Sequence, residues 1–88
     1  MRRRFVVHGL VQGVNFRATA AAEARRLGLR GRVWNRVDGA VECVAEGEPG
    51  ALQRLARWLE EGPRLARVER VETSDLAGGP EYEDFAIR

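Results

Sequence analysis

The segment with the clearest chemical potential runs His8-Gly9-Leu10-Val11-Gln12-Gly13-Val14-Asn15-Phe16-Arg17. It joins a short β-prone run to an apolar stripe of helical spacing, and its two glycines relieve the backbone where it must turn sharply. Successive N–H groups in such a turn can converge on an anion, reinforced by the unsatisfied donors and positive dipole end of the helix that follows. Arg17 falls in the first helical turn, where its planar fork of donors can pair with two phosphate oxygens. The segment therefore reads as a candidate phosphate cradle. It is not a Walker A loop, because no Gly-Lys-Ser/Thr triplet is present, nor a Gly-x-Gly-x-x-Gly fingerprint. A strand, a Gly-bearing turn and a helix with an early Arg also occur in proteins that bind nothing there. Asn35 is the second candidate. It ends an alternating run on the same face as Leu29 and Val33, the face expected to lie under helices, where an unpartnered carboxamide costs about 1–3 kcal/mol. Its other reading is a turn-forming Asn ahead of Arg36-Val37-Asp38-Gly39.

The elements that must position these residues can be read from periodicity. Phe5-Val6-Val7-His8, closed by Gly9, is a first strand. Phe16, Ala20, Ala24 and Leu27 draw one helical stripe with Asn15 as N-cap and Gly28 as terminator. From Leu29 the period drops to two, and Asp38-Gly39 links this second strand to a third through Val41, Cys43 and Ala45 as a hairpin. Pro49 opens a second helix with Leu52, Leu55, Ala56 and Leu59 on one face, and Gly62-Pro63 ends it. A fourth strand is expected over Arg67 to Leu76, and a short edge strand at Phe85-Ala86-Ile87. The order βαββαβ packs as an α+β sandwich: an antiparallel sheet with both helices on one face and the other face open.

Composition removes other classes. A chain of 88 residues is the size of one folding unit, so residues 1–88 are expected to form a single domain. One Cys cannot make an internal disulfide, and one His with one Cys leaves no set for a structural zinc. The apolar stretch after Arg2-Arg3-Arg4 is too short for a signal-peptide core, and no run approaches the ~20 residues needed to span a bilayer. A soluble cytoplasmic protein is expected. All fifteen basic residues are Arg, and the only amides are Asn15, Asn35, Gln12 and Gln53. That usage points to a thermostable protein or a compositionally biased source. Arg2-Arg3-Arg4 is read as a solvated, mobile terminus that can also attract anions.

Gly9 to Arg17, Leu27-Gly28-Leu29-Arg30-Gly31-Arg32-Val33-Trp34-Asn35 and Asp38-Gly39-Ala40-Val41-Glu42 together resemble the acylphosphatase family. The resemblance runs from the first strand to Phe85-Ala86-Ile87-Arg88, and its most specific part is the Val-Gln-Gly-Val-x-Phe-Arg core at Val11 to Arg17. It implies a ferredoxin-like fold and hydrolysis of acyl phosphates to carboxylate and inorganic phosphate, without metal or cofactor. It implies that Arg17 binds phosphate, that Asn35 orients the attacking water, and that the backbone N–H groups of Gln12, Gly13, Val14, Asn15 and Phe16 complete the site. Inorganic phosphate is then product and inhibitor, and a monomer is expected. Leu10 and Trp34 depart from residues common in the family at those positions, and neither is one of the two key positions.

The competing reading uses the same architecture as an RNA-binding platform, with Arg30, Arg32, Trp34 and Arg36 alternating on the open face. Against it, the aromatic-rich strand motif of that class is absent and Glu42, Glu46, Glu69 and Glu72 balance the arginines. His8 is read as a strand residue of the open face, Cys43 as buried and inert, and Arg57 and Trp58 as helix-surface and packing residues.

Overall fold

Alternation along β1 (Arg2–Leu10) sends Phe5 and Val7 to one face, where neither is exposed. In the computed structural model, which describes residues 1–88, the chain continues through α1 (Phe16–Arg26), β2 (Arg30–Asn35), β3 (Val41–Glu46), α2 (Pro49–Glu61), β4 (Arg67–Leu76) and β5 (Phe85–Ile87). The strands form one sheet in the order β4-β1-β3-β2-β5, with β1 and β3 central. Both helices cover the same face: Phe16, Ala20, Ala21 and Ala24 of α1 and Leu52, Leu55 and Leu59 of α2 share one core with Phe5, Val7, Val33, Val41, Cys43 and Ala45. Gly28 ends α1 with φ 75°, as its position after Leu27 predicts.

Two features differ from the sequence reading. The sheet is mixed, because β5 runs parallel to β2. The reason is the path of the chain: β4 ends at Leu76 beside Arg2, and residues 77–84 cross that same end of the sheet to reach Gly31, where β2 is starting. Four strand spacings amount to ~19 Å, well within the reach of eight residues. Strand β5 thus sets out from the end where β2 begins and runs the same way. The crossing is held by Glu46, whose carboxylate accepts from the N–H groups of Glu81 and Tyr82 at 2.7 and 3.1 Å.

The second difference is at Arg2-Arg3-Arg4, which is ordered strand rather than a mobile terminus. Carboxylates from β3, β4 and the crossing meet each side chain: Glu46 and Glu81 at Arg2, Asp75 at Arg3, Glu42 at Arg4. These partners are distant in sequence, so the local charge run did not reveal them.

Gly31 marks where the sheet is closest packed. Its φ is 151°, and a Cβ there would lie 1.8 Å from the main-chain oxygen of Val44. Since that oxygen belongs to the paired strand, no side-chain movement can relieve the clash. Gly31→Ala is expected to destabilise the fold by roughly 3 kcal/mol or more, lowering Tm by over ~12 °C in a domain of this size. A thermal melt within a few degrees of wild type would contradict this.

Candidate functional site

The loop between β1 and α1 is pinned at both ends. Val11 and Phe16 are each 1% exposed, so the segment between them is fixed by two side chains in the core. Phe16 meets Trp58 of α2 edge-on, with ring centroids 5.6 Å apart, and Gly62 makes room for its ring. Between the anchors Gly13 takes φ 76° and Asn15 φ 64°, both left-handed, and both residues are exposed. The N–H groups of Gln12 through Phe16 form no hydrogen bond within the chain. Asn15 occupies the N-cap position as expected, but its side chain makes no capping bond; its main-chain oxygen accepts from Thr19 instead. The first-turn donors of α1 therefore stay free.

Arg17, the second residue of α1, is half-buried and donates from Nη1 to the main-chain oxygen of Arg88 at 3.2 Å. It shares a depression of about 170 Å³ with Gly13, Asn15, Phe16 and Asn35. Arg17 and Asn35, far apart in sequence, are thus brought together. Asn35 sits at the last position of β2, opposite Val41. It has the expected facing, on the side of Val33, but it is exposed, so the desolvation argument for a partner does not hold there. The strand end reaches past the helical layer and the carboxamide is open to solvent.

Gln12 and Val14 do not line the depression. Val14 packs against the core, and the Gln12 side chain turns to the β2–β3 turn, donating from Nε2 to the main-chain oxygens of Arg36 at 2.8 Å and Ala40 at 3.0 Å. Sequence reasoning gave Gln12 only its backbone N–H. It also missed Ile87 and Ala18, which supply an apolar wall to the depression. Ile87 arrives only because β5 runs parallel to β2, a fact with no local sequence signal.

A larger cavity of about 450 Å³ lies at the opposite end of the sheet, around Arg2, Arg30 and Glu46. It has the weaker claim to chemistry, because Arg2 is already engaged by Glu46, Glu81 and the carbonyls of Ala77 and Gly79.

His8 is on the open face, its Nε2 2.8 Å from Glu72, and does not line the depression. The His8 contact and then Arg70 hold the Glu72 carboxyl below the usual range, while the Ala40 N–H and then Arg36 do the same for Asp38. Stabilisation from these lowered values is present above the ordinary carboxylate range and fades as pH falls through them. Cys43 is fully buried, and burial followed by the charge of Glu42 pushes its thiol up to about 12, so it is inert as expected. On the open face Arg4 and Arg36 are paired with Glu42 and Arg32 with Asp84, Arg30 is in no ion pair, and the Arg88 guanidinium covers Trp34 at 5.6 Å. Trp34, the one aromatic of that strand, is thus already covered, and the RNA-binding reading is not supported.

The profile of the acylphosphatase family matches residues 3–87. The acylphosphatase of Pasteurella multocida (strain Pm70) is 44% identical over 88 residues, covering 100% of this chain and 98% of its own. The crystal structure of acylphosphatase from Bacillus subtilis superposes with a TM-score of 0.95 at 34% identity, over 99% of this chain and 97% of that one. An acylphosphatase from Coxiella burnetii gives 0.94 at 39% identity, over 99% and 90%. The shared architecture is the ferredoxin-like fold.

Proposed function

This chain belongs to the acylphosphatase family, hydrolases acting on acyl phosphates, and on that footing we propose that Arg17 and Asn35 are its catalytic pair. The main chain of Gln12, Gly13, Val14, Asn15 and Phe16 is the phosphate cradle in this reading. The observation that carries it is the run of free N–H groups from Gln12 to Phe16 beside Arg17, with Gly13, Asn15 and Phe16 of that run lining the depression that Arg17 shares with Asn35. Oriented main-chain donors and a guanidinium suit a dianionic phosphoryl group.

In the reaction, water attacks phosphorus, the bond between phosphorus and the bridging oxygen breaks, and that oxygen leaves with the carboxylate. A carboxylate is a weak base, so its departure needs little acid catalysis. Positioning and charge stabilisation then carry the step. The loose transition state spreads charge over the equatorial oxygens, where Arg17 and the loop donors bind it, while Asn35 holds the water in line. The water's proton passes to the substrate's own phosphoryl oxygen. His8, turned to the open face and bonded to Glu72, supports the view that no side chain serves as base. Ile87 and Ala18 give the acyl group an apolar surface to rest on.

The test is hydrolysis of a simple aromatic acyl phosphate, with and without a chelator. Wild-type activity indifferent to the chelator is expected, with competitive inhibition by inorganic phosphate and an unchanged pH–rate profile in His8→Ala. An inert wild type overturns the reading, and loss in His8→Ala of a titration near the histidine range overturns the assignment of the base. We further propose that residues 1–88 act as one domain, monomeric, cytoplasmic and thermostable. The core shared by both helices and the ion pairs across the sheet support the first and last of these.

A further inference from the structure

Gln12 links the two halves of the site. Arg17 follows the loop that contains Gln12, whereas Asn35 ends β2 immediately before the turn to β3. Both hydrogens of the Gln12 amide nitrogen are committed to that turn, one to the oxygen of Arg36 and one to the oxygen of Ala40. No other side-chain hydrogen bond joins residues 11–17 to residues 35–40. Without Gln12 the turn still closes, because the Arg36 N–H donates to the Ala40 oxygen at 2.8 Å and the Gly39 N–H to the Arg36 oxygen at 3.2 Å. Gln12 is thus redundant for the hairpin itself and specific to the join between hairpin and loop.

We propose that the Gln12 side chain is a positioning residue for turnover: a clamp that sets the distance from the phosphate loop to Asn35, and through it the alignment of the attacking water with phosphorus. The inference rests on the roles given above to Arg17 and Asn35. Phosphate affinity depends on the loop and Arg17 alone and is kept without the clamp. Alignment depends on both halves and is not, and a displacement of about 1 Å can cost roughly 10²-fold in rate.

The test compares wild type, Gln12→Met, Asn35→Ala and the double variant with an aromatic acyl phosphate, alongside inhibition by inorganic phosphate and a thermal melt. In folded Gln12→Met, kcat is expected to fall about tenfold or more while the inhibition constant for phosphate stays within about twofold. The double variant is expected to turn over at the rate of Asn35→Ala, because the clamp acts through Asn35. Unchanged kcat in folded Gln12→Met, a phosphate affinity that falls as far as kcat, or losses that multiply in the double variant each overturn the clamp. If Gln12→Met does not fold, Gln12→Asn, whose amide stops one methylene short, is judged by the same criteria. An inactive wild type overturns the acyl-phosphate reading, whereas an active wild type beside an indifferent Gln12→Met overturns the clamp alone.

Discussion

Arg17→Ala is expected to lower kcat/KM by roughly 10³-fold, within the range seen when an oriented donor or an arginine at a phosphoryl group is removed. The half-buried Arg17 borders the same depression as Gly13 and Asn15, and its Nη1 is steadied by the Arg88 main-chain oxygen. The loss is expected in both constants, because in the proposed mechanism phosphate binds through this group in the ground state and leans on it further as charge spreads in the transition state. Arg17→Lys separates charge from geometry. The ammonium keeps the charge but cannot present two parallel donors, so affinity recovers in part and turnover much less. Steady-state kinetics and phosphate inhibition on both variants check this, and near-wild-type kcat/KM in Arg17→Ala would remove Arg17 from the mechanism.

Asn35→Ala is expected to reduce kcat by about 10²–10³-fold with little change in phosphate affinity or Tm. This contrast follows from its location. The residue is exposed, its side chain has no hydrogen-bond partner in the protein, and surface replacements of that kind usually stay within about 0.5 kcal/mol of wild-type stability. Nothing in the fold depends on the carboxamide, so its loss is felt in turnover. Asn35→Asp sharpens the test: it keeps size and shape but sets a carboxylate against the phosphoryl oxygens, so substrate affinity falls as well. A large fall in Tm for Asn35→Ala, or a kcat close to wild type, would show that the residue is structural or idle.

Much of this arrangement was legible in the sequence because each element carries its own period. The stripe Leu52, Leu55, Ala56, Leu59 and the alternation through Val41, Cys43 and Ala45 each encode a face without reference to the rest of the chain. The Gly-bearing loop and Arg17 are contiguous and were equally visible. What was not legible depends on partners remote in sequence or on main-chain atoms. Arg2-Arg3-Arg4 looked like a loose terminus because the carboxylates that order it, from Glu42 to Glu81, lie in later elements. The direction of β5 depends on which end of the sheet residues 77–84 cross, and Ile87 enters the site only through that path. Asn35 was given the right face but the wrong cover, since alternation sets facing and not how far a helical layer extends. The second role of Gln12 was hidden because its acceptors are carbonyl oxygens, which any residue supplies.

On the proposed phosphate cradle, the free N–H groups from Gln12 to Phe16 would tie stability to ligand concentration. A helix start with no side-chain cap forgoes about 1 kcal/mol that a capping Asn would provide, and Asn15, in its left-handed conformation, forms no such bond. An anion seated on those donors restores what the chain leaves unmade, and it can do so only in the native state, since the nest vanishes on unfolding. By mass action, phosphate at a hundred times its dissociation constant raises the unfolding free energy by about 2.7 kcal/mol. In the proposed site the loop is therefore a point of local frustration that a bound anion relieves, and filling it with a better cap is expected to harden the fold while closing the proposed phosphate cradle.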